Sequence, residues 1–453
     1  MLRDLRPLRG AGNWNERPAA APKGSGTVQV AGLSAVAKRQ KMKLAKNSVF
    51  PRTGGALLMA VAVAIGLGAC GSVISGTAQQ VQPDVSELDV GNYSTQPRIV
   101  GNAKNDKQAR SRESQRLADF VALPYEADPS YVEDVWFLRP HIVLNRKTLG
   151  NLVINDTFDD VAKDLVAGWV NAWATGGPRD APRRTMNVAV LMFPDANSAK
   201  TVGPTLEHDD FTYNRDNEPV AITKHPNTTA HWRPGISSIG SWTVHDRYVI
   251  FIKVVDDTSG PDLPALVSQV ERMLDVQIPL LDKFQPTPSA ELARIPLDPS
   301  GLLGRTLPSN PTAPFRPEPD SVYTGRGALS LFQQPTPEML PLLQRSEVDL
   351  VSYGDAVVFR SKSAKGAEAL WREWQPSKDM PANQKLIGPP SGLDANVECF
   401  TEYFENTVDQ QEPKVSANLC ILQVGRYVVQ ARSMQPQDLF QRISAQYALL
   451  KTG

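Results

Sequence analysis

The sequence predicts an α+β protein of two similar small domains, each an antiparallel sheet covered by helices, preceded by a signal peptide and a flexible tether. Two observations support this prediction. Nine prolines lie between residues 285 and 320, and such a density disfavours helices and sheets and indicates a linker. On each side of it, strand-like apolar runs alternate with helical patterns, and one such pattern occurs twice.

The composition supports folded domains and excludes one class of partner. The chain has 453 residues, of which 41% are hydrophobic, enough for two or three domain cores. Residues 1–69 hold 11 basic and two acidic side chains, which leaves 37 basic and 46 acidic ones in the rest of a chain with zero formal net charge. An acidic body lacks the clustered cations that phosphate binding needs, so we expect no nucleic-acid partner.

An export signal is predicted at residues 42–69. Lys43, Lys46 and Arg52 form a basic region, and residues 55–67 after it are uncharged and mostly apolar. This apolar stretch is shorter than the ~20 residues that cross a bilayer, as is typical of a cleaved signal peptide. A buried core helix and an uncleaved anchor are the alternatives.

The signal ends in Leu67-Gly68-Ala69-Cys70, which resembles the lipobox of bacterial lipoproteins. The resemblance implies cleavage between Ala69 and Cys70 and a diacylglycerol on the Cys70 sulfur, with acylation of the new amino group left open. Two or three acyl chains anchor a protein durably. The expected location is therefore the extracytoplasmic face of the cell membrane, with the membrane itself as a partner.

The segments on either side of the signal are predicted to be unstructured. Residues 1–41 have no helical or strand period and are either a disordered extension or the result of a mis-assigned start, with translation beginning at Met42. Residues 70–97 are polar and predict a lipidated flexible tether.

The first predicted domain spans residues 98–284. Apolar residues at helical spacing predict one long amphipathic helix over residues 157–176. Trp169 and Trp173 fall on its apolar face, which favours core packing over the lining of a ligand groove. The other predicted elements are strands at 186–193, 241–244 and 247–255 and a helix at 263–274.

The second predicted domain, residues 321–453, repeats this pattern. In both domains an apolar strand ends near a phenylalanine, a Ser-Ala-Lys sequence follows in a helix, an Arg-Tyr-Val strand comes next, and an Asp-Leu pair opens a helix with a central glutamine. The matched positions are Phe193 and Phe359, 198–200 and 363–365, 247–249 and 426–428, and 262–263 and 438–439. Duplication of one module explains these matches better than coincidence. In the repeat, Trp371 and Trp374 are core residues or a small recognition patch, and the core is favoured.

The lipobox, the proline-rich connector 285–320 and the paired units together resemble an uncharacterised family of two-domain lipoproteins from mycobacteria, nocardiae and related actinobacteria. The resemblance covers most of residues 42–453. It implies an envelope location and brings no established catalytic residues, so no site can be transferred from the family to this chain.

Cys399 and Cys420 are the two cysteines that remain after Cys70. They lie in strand-like segments on either side of a polar loop, so a hairpin would place them opposite each other. In an exported chain this predicts a disulfide, which would contribute about 3 kcal/mol to stability. Two free buried thiols and a metal site are the alternatives.

Residues with catalytic chemistry are concentrated in one stretch, which holds His208, His225, His231 and His245 beside several carboxylates. Their spacing matches no metal template, and the chain has no P-loop, dinucleotide or HExxH motif. Ordinary solvated histidines are therefore favoured, and no metal or cofactor is predicted. The sequence predicts a non-catalytic protein that binds an envelope lipid, a glycan or a protein. An envelope hydrolase using residues 208–245 and a scaffold without a ligand pocket are the alternatives.

Overall fold

The computed structural model describes residues 85–452, except 136–137, 151, 178–180, 313, 315–317, 333–335 and 406–407. The described residues form two antiparallel sheets with helices on their faces, which confirms the predicted α+β class. Among them, no helix has the length and apolar character needed to cross a bilayer. The predicted signal peptide and Cys70 lie outside the described residues.

The first half of the described chain forms one sheet with a long helix on each face. Its strands are β1 (Tyr131–Asp134), β2 (His141–Ile142), β3 (Ala167–Thr175), β4 (Arg184–Met192), β5 (Glu218–Ala221), β6 (Thr228–Trp232), β7 (Ser238–His245) and β8 (Tyr248–Asp256). Its helices are α1 (Asp106–Leu117), α2 (Pro124–Ala127), α3 (Arg146–Leu149), α4 (Phe158–Val161), α5 (Ala196–Thr212) and α6 (Leu263–Leu281). The strand order is β1-β3-β4-β8-β7-β6-β5, with β2 beside β3. Helices α5 and α6 pack on opposite faces.

The second half forms the other sheet. The helix α7 (Ser289–Leu292) lies in the segment that joins the halves. The strands of the second half are β9 (Ser321–Tyr323), β10 (Val348–Tyr353), β11 (Ala356–Ser361), β12 (Gln384–Ile387), β13 (Asn396–Tyr403), β14 (Val415–Val424) and β15 (Tyr427–Ser433). Its helices are α8 (Gly325–Ser330), α9 (Met339–Arg345), α10 (Ala364–Trp374) and α11 (Pro436–Lys451). The strand order is β9-β10-β11-β15-β14-β13-β12, with α10 and α11 on opposite faces.

The two sheets have the same topology. Strands β1, β3, β4, β8, β7, β6 and β5 correspond in order to β9, β10, β11, β15, β14, β13 and β12. Helix α5 follows β4 along the chain, as α10 follows the equivalent strand β11. Helices α6 and α11 follow β8 and β15, the last strands of their halves in chain order. This correspondence confirms two similar domains and supports their origin by duplication.

The hairpins β7-β8 and β14-β15 are the best-matched parts of the repeat. His245 pairs with Tyr248, and Val424 pairs with Tyr427, so each loop has two residues. The first loop residue is left-handed in both, with φ of 48° at Asp246 and 52° at Gly425. The Arg-Tyr-Val match therefore identified equivalent positions.

The Ser-Ala-Lys match, in contrast, was out of register. Helix α5 begins after the N-cap residue Asp195, whereas α10 begins after the N-cap residue Ser363. Ser198 is thus already inside its helix, three residues beyond the position equivalent to Ser363. Serine is favoured both at caps and in first turns, so a three-residue match of this kind cannot fix the register.

The long helix predicted at residues 157–176 was wrong. Helix α4 is a single turn, Phe158–Val161, and the strand β3 takes up Ala167–Thr175. Because β3 is central and buried on both faces, it lacks the alternation that indicates a strand. Trp169 and Trp173, four residues apart, share a face in either structure. Both are fully buried, which confirms them as core residues.

The proline-rich segment 285–320 is not a free linker. Ile295 packs against Ala103 and Ala109 beside α1, and the Ala103 N–H donates to the Ile295 carbonyl at 2.9 Å. Leu302 and Leu303 enter the core beneath α11. Proline removes backbone donors, but the apolar residues between the prolines still bury their side chains.

The segment before α1 is also folded in its described part. Leu88 packs into the same core as α11, and the Tyr93 hydroxyl donates to Asp438 Oδ1 at 2.8 Å. The guanidinium of Arg442 lies 5.6 Å from the centre of the Tyr93 ring. Residues 85–97 of the predicted tether therefore contact the folded part, and residues 70–84 lie outside the described range.

The predicted disulfide is confirmed. Cys399 on β13 and Cys420 on β14 are direct cross-strand partners and are joined by a disulfide. Both cysteines are buried in the core beneath α11. Trp371 and Trp374 on α10 are also buried, as the core interpretation predicted.

A buried glutamine on the last helix of each half binds a loop backbone in the same way. Gln277 on α6 accepts from the Ala122 N–H at 2.8 Å and donates to the Phe120 carbonyl at 2.9 Å. Gln446 on α11 accepts from the Leu307 N–H at 2.9 Å and donates to the Arg305 carbonyl at 2.7 Å. Each glutamine thus satisfies a carbonyl and the N–H two residues later in a buried loop.

Replacing either glutamine should destabilise the protein markedly. Gln446→Leu leaves a buried N–H and carbonyl without partners, each of which costs about 1–3 kcal/mol. We expect urea unfolding to show a loss of about 3 kcal/mol. Gln437→Leu, at an exposed position in the first turn of the same helix, is the control, with an expected loss below about 0.5 kcal/mol. Equal losses in the two variants would contradict this role.

The two hairpin loops give a second test. Gly425→Ala introduces a side chain at a left-handed position and should cost about 1 kcal/mol. Asp246→Gly removes the side chain from the equivalent left-handed position. It should leave the stability of the protein unchanged or raise it by roughly a few tenths of a kcal/mol. Gly388→Ala, where φ is ordinary and no atom lies within 4 Å of the new Cβ, is the control. In thermal unfolding, Gly425→Ala should have the lowest melting temperature of the three variants.

Candidate functional site

A pocket of about 310 Å³ lies between the two halves, where α1 faces β9 and β10. Its volume is near the lower end of the range for ligand pockets, and domain junctions are a preferred place for such sites. The charged lining residues are Arg112, Arg116 and Asp119, and the apolar ones include Phe120, Phe284 and Leu350.

The helix α1 that forms one wall is polar in sequence yet mostly buried. Asn105 caps it by accepting from the Gln108 N–H at 2.9 Å. Ser114 Oγ accepts from the Gly168 N–H of β3, and Gln115 donates to the Pro319 carbonyl of the other half. Helix α1 therefore lies between the halves and hydrogen-bonds to both.

Arg112 is the most unusual group in the pocket, because its residue is only 7% exposed. Its Nη1 donates to Ser321 Oγ and to the Val322 carbonyl, both at 2.9 Å. Its Nε is buried and has no acceptor. Within the described part of the chain no carboxylate forms an ion pair with Arg112. Burial lowers the pKa of this guanidinium, since the charged form is poorly solvated.

Arg116, one turn further along α1, is paired with a carboxylate of opposite charge. Its Nη1 lies 2.7 Å from Glu113 Oε2, and Glu113 is fully buried. Glu113 also accepts from the N–H and the hydroxyl of Thr287, both at 2.8 Å. The guanidinium lies 5.4 Å from the centre of the Phe284 ring. Arg116 is therefore held as part of the wall.

The Asp119 carboxylate binds backbone groups of the second half. Its carboxylate accepts from the Thr324 N–H at 3.2 Å and from the Gly327 N–H at 2.9 Å, at the start of α8. A Cβ at Gly327 would lie 2.5 Å from Asp119 Oδ1, so this approach requires glycine. Burial raises the pKa of Asp119, although its hydrogen bonds to Thr324 and Gly327 oppose the shift.

An ion pair beside the pocket joins the halves as well. Arg326 on α8 binds both oxygens of Glu126, with Nη2 to Oε1 at 2.7 Å and Nε to Oε2 at 3.1 Å. Its Nη1 donates to the Asp119 carbonyl at 3.2 Å. Both side chains are mostly buried, and such bidentate pairs fix geometry as well as charge.

Aromatic rings supply the apolar part of the junction. Phe120 and Phe284 pack with their ring centres 5.0 Å apart. Tyr323 on β9 lies 6.1 Å from Trp169 of β3, and one hydrophobic core runs from β3 and α6 to β10 and α10. The pocket thus has apolar walls with charged groups from α1 at one side.

Comparison with known families identifies the chain. Two family models match it, over residues 100–297 and 302–453, and they are described as the N-terminal and C-terminal parts of a domain of unknown function, DUF7373. The chain belongs to the DUF7373 family. No curated protein and no solved structure matches it. The predicted membership of an uncharacterised two-domain family is confirmed, and the pocket lies where the two DUF7373 parts meet.

The histidines singled out in the sequence are not brought together in this DUF7373 fold. His225 lies 3.1 Å from Asp275 and His245 lies 2.7 Å from Asp282, on the α6 side of the sheet. His231 contacts α5 on the other side, and His208 is exposed on α5. Among the described residues no group of His, Cys, Asp or Glu side chains could hold a metal ion.

His231 and Asp210 form the one mostly buried pair of these histidines and carboxylates. Their closest atoms are 3.6 Å apart, and Trp242 Nε1 donates to Asp210 Oδ2 at 2.8 Å. Burial lowers the pKa of His231, although the Asp210 charge opposes this. Burial raises the pKa of Asp210, opposed by the Trp242 hydrogen bond. The pair joins α5 to the sheet.

Neither Arg112 nor Asp119 was predicted as a site residue from the sequence. The α1 sequence DKQARSRESQRL resembles a solvated surface helix, because ten of its twelve side chains are polar or charged and only Ala109 and Leu117 are apolar. Only the fold shows that Ser111, Arg112, Glu113 and Gln115 are buried.

Asp119 makes the stability pH-dependent in a predictable direction. Since its folded-state pKa is raised, the folded protein binds this proton more tightly than the unfolded chain does. Stability is therefore lost as pH rises from the unfolded pKa through the folded one. Asp119→Asn lacks this loss, so its stability relative to wild type should increase between pH 4 and pH 7 in urea unfolding. A stability difference between Asp119→Asn and wild type that stays constant with pH would contradict the raised pKa of Asp119.

Proposed function

We propose that this DUF7373 protein is a lipid-anchored extracytoplasmic binding protein of an actinobacterial envelope. It would hold an envelope lipid or glycan in the pocket at the domain junction, without catalysing a reaction. The observation that carries the proposal is the pocket itself, which has aromatic walls and a few fixed polar groups, as ligand sites commonly do.

Binding is favoured over the hydrolase alternative by the positions of the histidines. A general base needs a reacting group within hydrogen-bond reach. His225, His231 and His245 are instead each engaged by a separate carboxylate, on two faces of one sheet. The junction pocket contains none of them. The pocket also favours a ligand-binding role over a scaffold that lacks one.

The anchoring part of the proposal rests on the Leu67-Gly68-Ala69-Cys70 sequence and the export signal before it. The folded part begins by residue 85. Fourteen residues, 71–84, would separate it from the acylated Cys70, and they span at most about 50 Å when fully extended. The pocket would therefore work close to the membrane surface.

Cys70→Ala tests the anchor. The wild-type chain expressed in an actinobacterial host should enter the detergent phase of a Triton X-114 extract, with an intact mass that starts at Cys70 and includes a diacylglycerol. Cys70→Ala should remain uncleaved and carry no lipid, because the acceptor sulfur is missing. Ser72→Ala, two residues further on, is the control and should behave as wild type. A wild-type mass without lipid would contradict anchoring.

Native mass spectrometry of the full chain purified from host membranes tests the binding role. We expect a fraction of the protein to retain a small molecule. Ser300→Trp, which places a large ring at the pocket wall, should lose that molecule while keeping the wild-type melting temperature. A molecule retained equally by Ser300→Trp would place binding elsewhere, and recovery only of partner proteins would favour a scaffold.

A further inference from the structure

We propose that the ligand carries an anionic group, a carboxylate or a phosphate, on an apolar body, and that Arg112 binds this anion. This inference rests on the proposed binding role of the junction pocket and specifies the chemistry of its ligand. It follows from three features of the pocket: an uncompensated buried charge, an unused hydrogen-bonding edge and aromatic walls.

The first feature is the charge of Arg112. Buried charges are normally paired, because an unpaired one pays a large desolvation cost. The two carboxylates on the same stretch of chain are engaged elsewhere: Glu113 binds Arg116 and Thr287, and Asp119 binds the backbone at the start of α8. An anion bound in the pocket would supply the missing negative charge.

The second feature is the geometry of the guanidinium. Both protein hydrogen bonds of Arg112 use Nη1. The edge formed by Nε and Nη2 has no acceptor among the described residues. Its Nε is fully buried, but Nη2 is not among the buried unpaired atoms, so Nη2 is the free donor of this edge that the pocket can reach. A carboxylate or phosphate oxygen in the pocket would accept from Nη2, and the guanidinium charge makes such a hydrogen bond stronger than one between neutral groups.

The third feature is the rest of the pocket wall. Phe120, Phe284, Val322 and Leu350 offer apolar surface beside the charge. A free inorganic ion would leave this surface unused, and a neutral lipid would leave Arg112 uncompensated. An amphiphile with an anionic end uses both. The volume of about 310 Å³ limits the enclosed part to the anionic group and a short length of chain.

Equilibrium dialysis of the purified full chain tests the inference with three probes that share a ten-carbon chain: decanoate, decyl phosphate and the neutral decanamide. We expect at least one anionic probe to bind tenfold or more tightly than decanamide, and the preferred anion distinguishes a carboxylate ligand from a phosphate ligand. The preference should weaken as salt is raised.

Variants on α1 locate the effect. Arg112→Gln should reduce the anion preference to less than twofold, and Arg112→Lys, which keeps the charge but lacks Nη2, should retain part of it. Arg110→Gln, on the same helix but outside the pocket, should keep the wild-type preference. Near-ultraviolet circular dichroism checks that each variant is folded. If Arg112→Gln does not fold, Arg112→Lys against wild type still decides, and an unchanged anion preference in Arg112→Lys overturns the role of Nη2.

The outcomes separate the two proposals. Equal affinity of the wild type for decanoate, decyl phosphate and decanamide, abolished by Ser300→Trp, would overturn the anion inference and leave the binding role intact. Binding of no probe, or binding that Ser300→Trp does not change, would contradict the pocket as the ligand site altogether. An anion preference that survives Arg112→Gln would overturn Arg112 as the receiving group.

Discussion

The burial of a polar helix between two sheets is the constraint on which the rest of the structure depends. Because α1 has few apolar side chains, its polar groups must find partners, and several of these lie in the second half: Arg112 binds Ser321 and Val322, and Gln115 binds Pro319. The residues just after α1 continue this pattern, as Asp119 binds the start of α8. A buried polar group left unpaired costs more than its bond contributes, so these contacts fix how the halves meet and shape the pocket.

The duplicated topology, together with helix α1, explains where the pocket lies. Both halves have the same strand order and a glutamine on the last helix that holds a loop backbone. Helix α1 precedes the first sheet, and the first half uses it to fill the space beside β9 and α8. The site therefore arises from what differs between the copies, while the sheets they share supply a stable frame.

The sequence predicted the structure correctly where a single pattern of residues pointed to one kind of element. Periodic strands and a paired Cys399 and Cys420 predicted the sheets and the disulfide correctly. The sequence was misleading at β3. This strand is buried on both faces, so it lacks polar alternation, and the four-residue spacing of Trp169 and Trp173 also fits the apolar face of a helix. The sequence was also misleading for the proline-rich segment, where Ile295 and Leu303 are buried despite the prolines. The site was hidden because Arg112 on a polar helix is read as solvent-exposed until the second half covers it.

Differential scanning calorimetry of the full chain tests most directly whether the two halves form one body. A core that runs across the junction, with the polar contacts of α1 on both sides, requires that neither half unfolds alone. We therefore expect a single transition for the folded part, with a calorimetric enthalpy equal to the van't Hoff enthalpy. Two resolved transitions, one for each half, would contradict it.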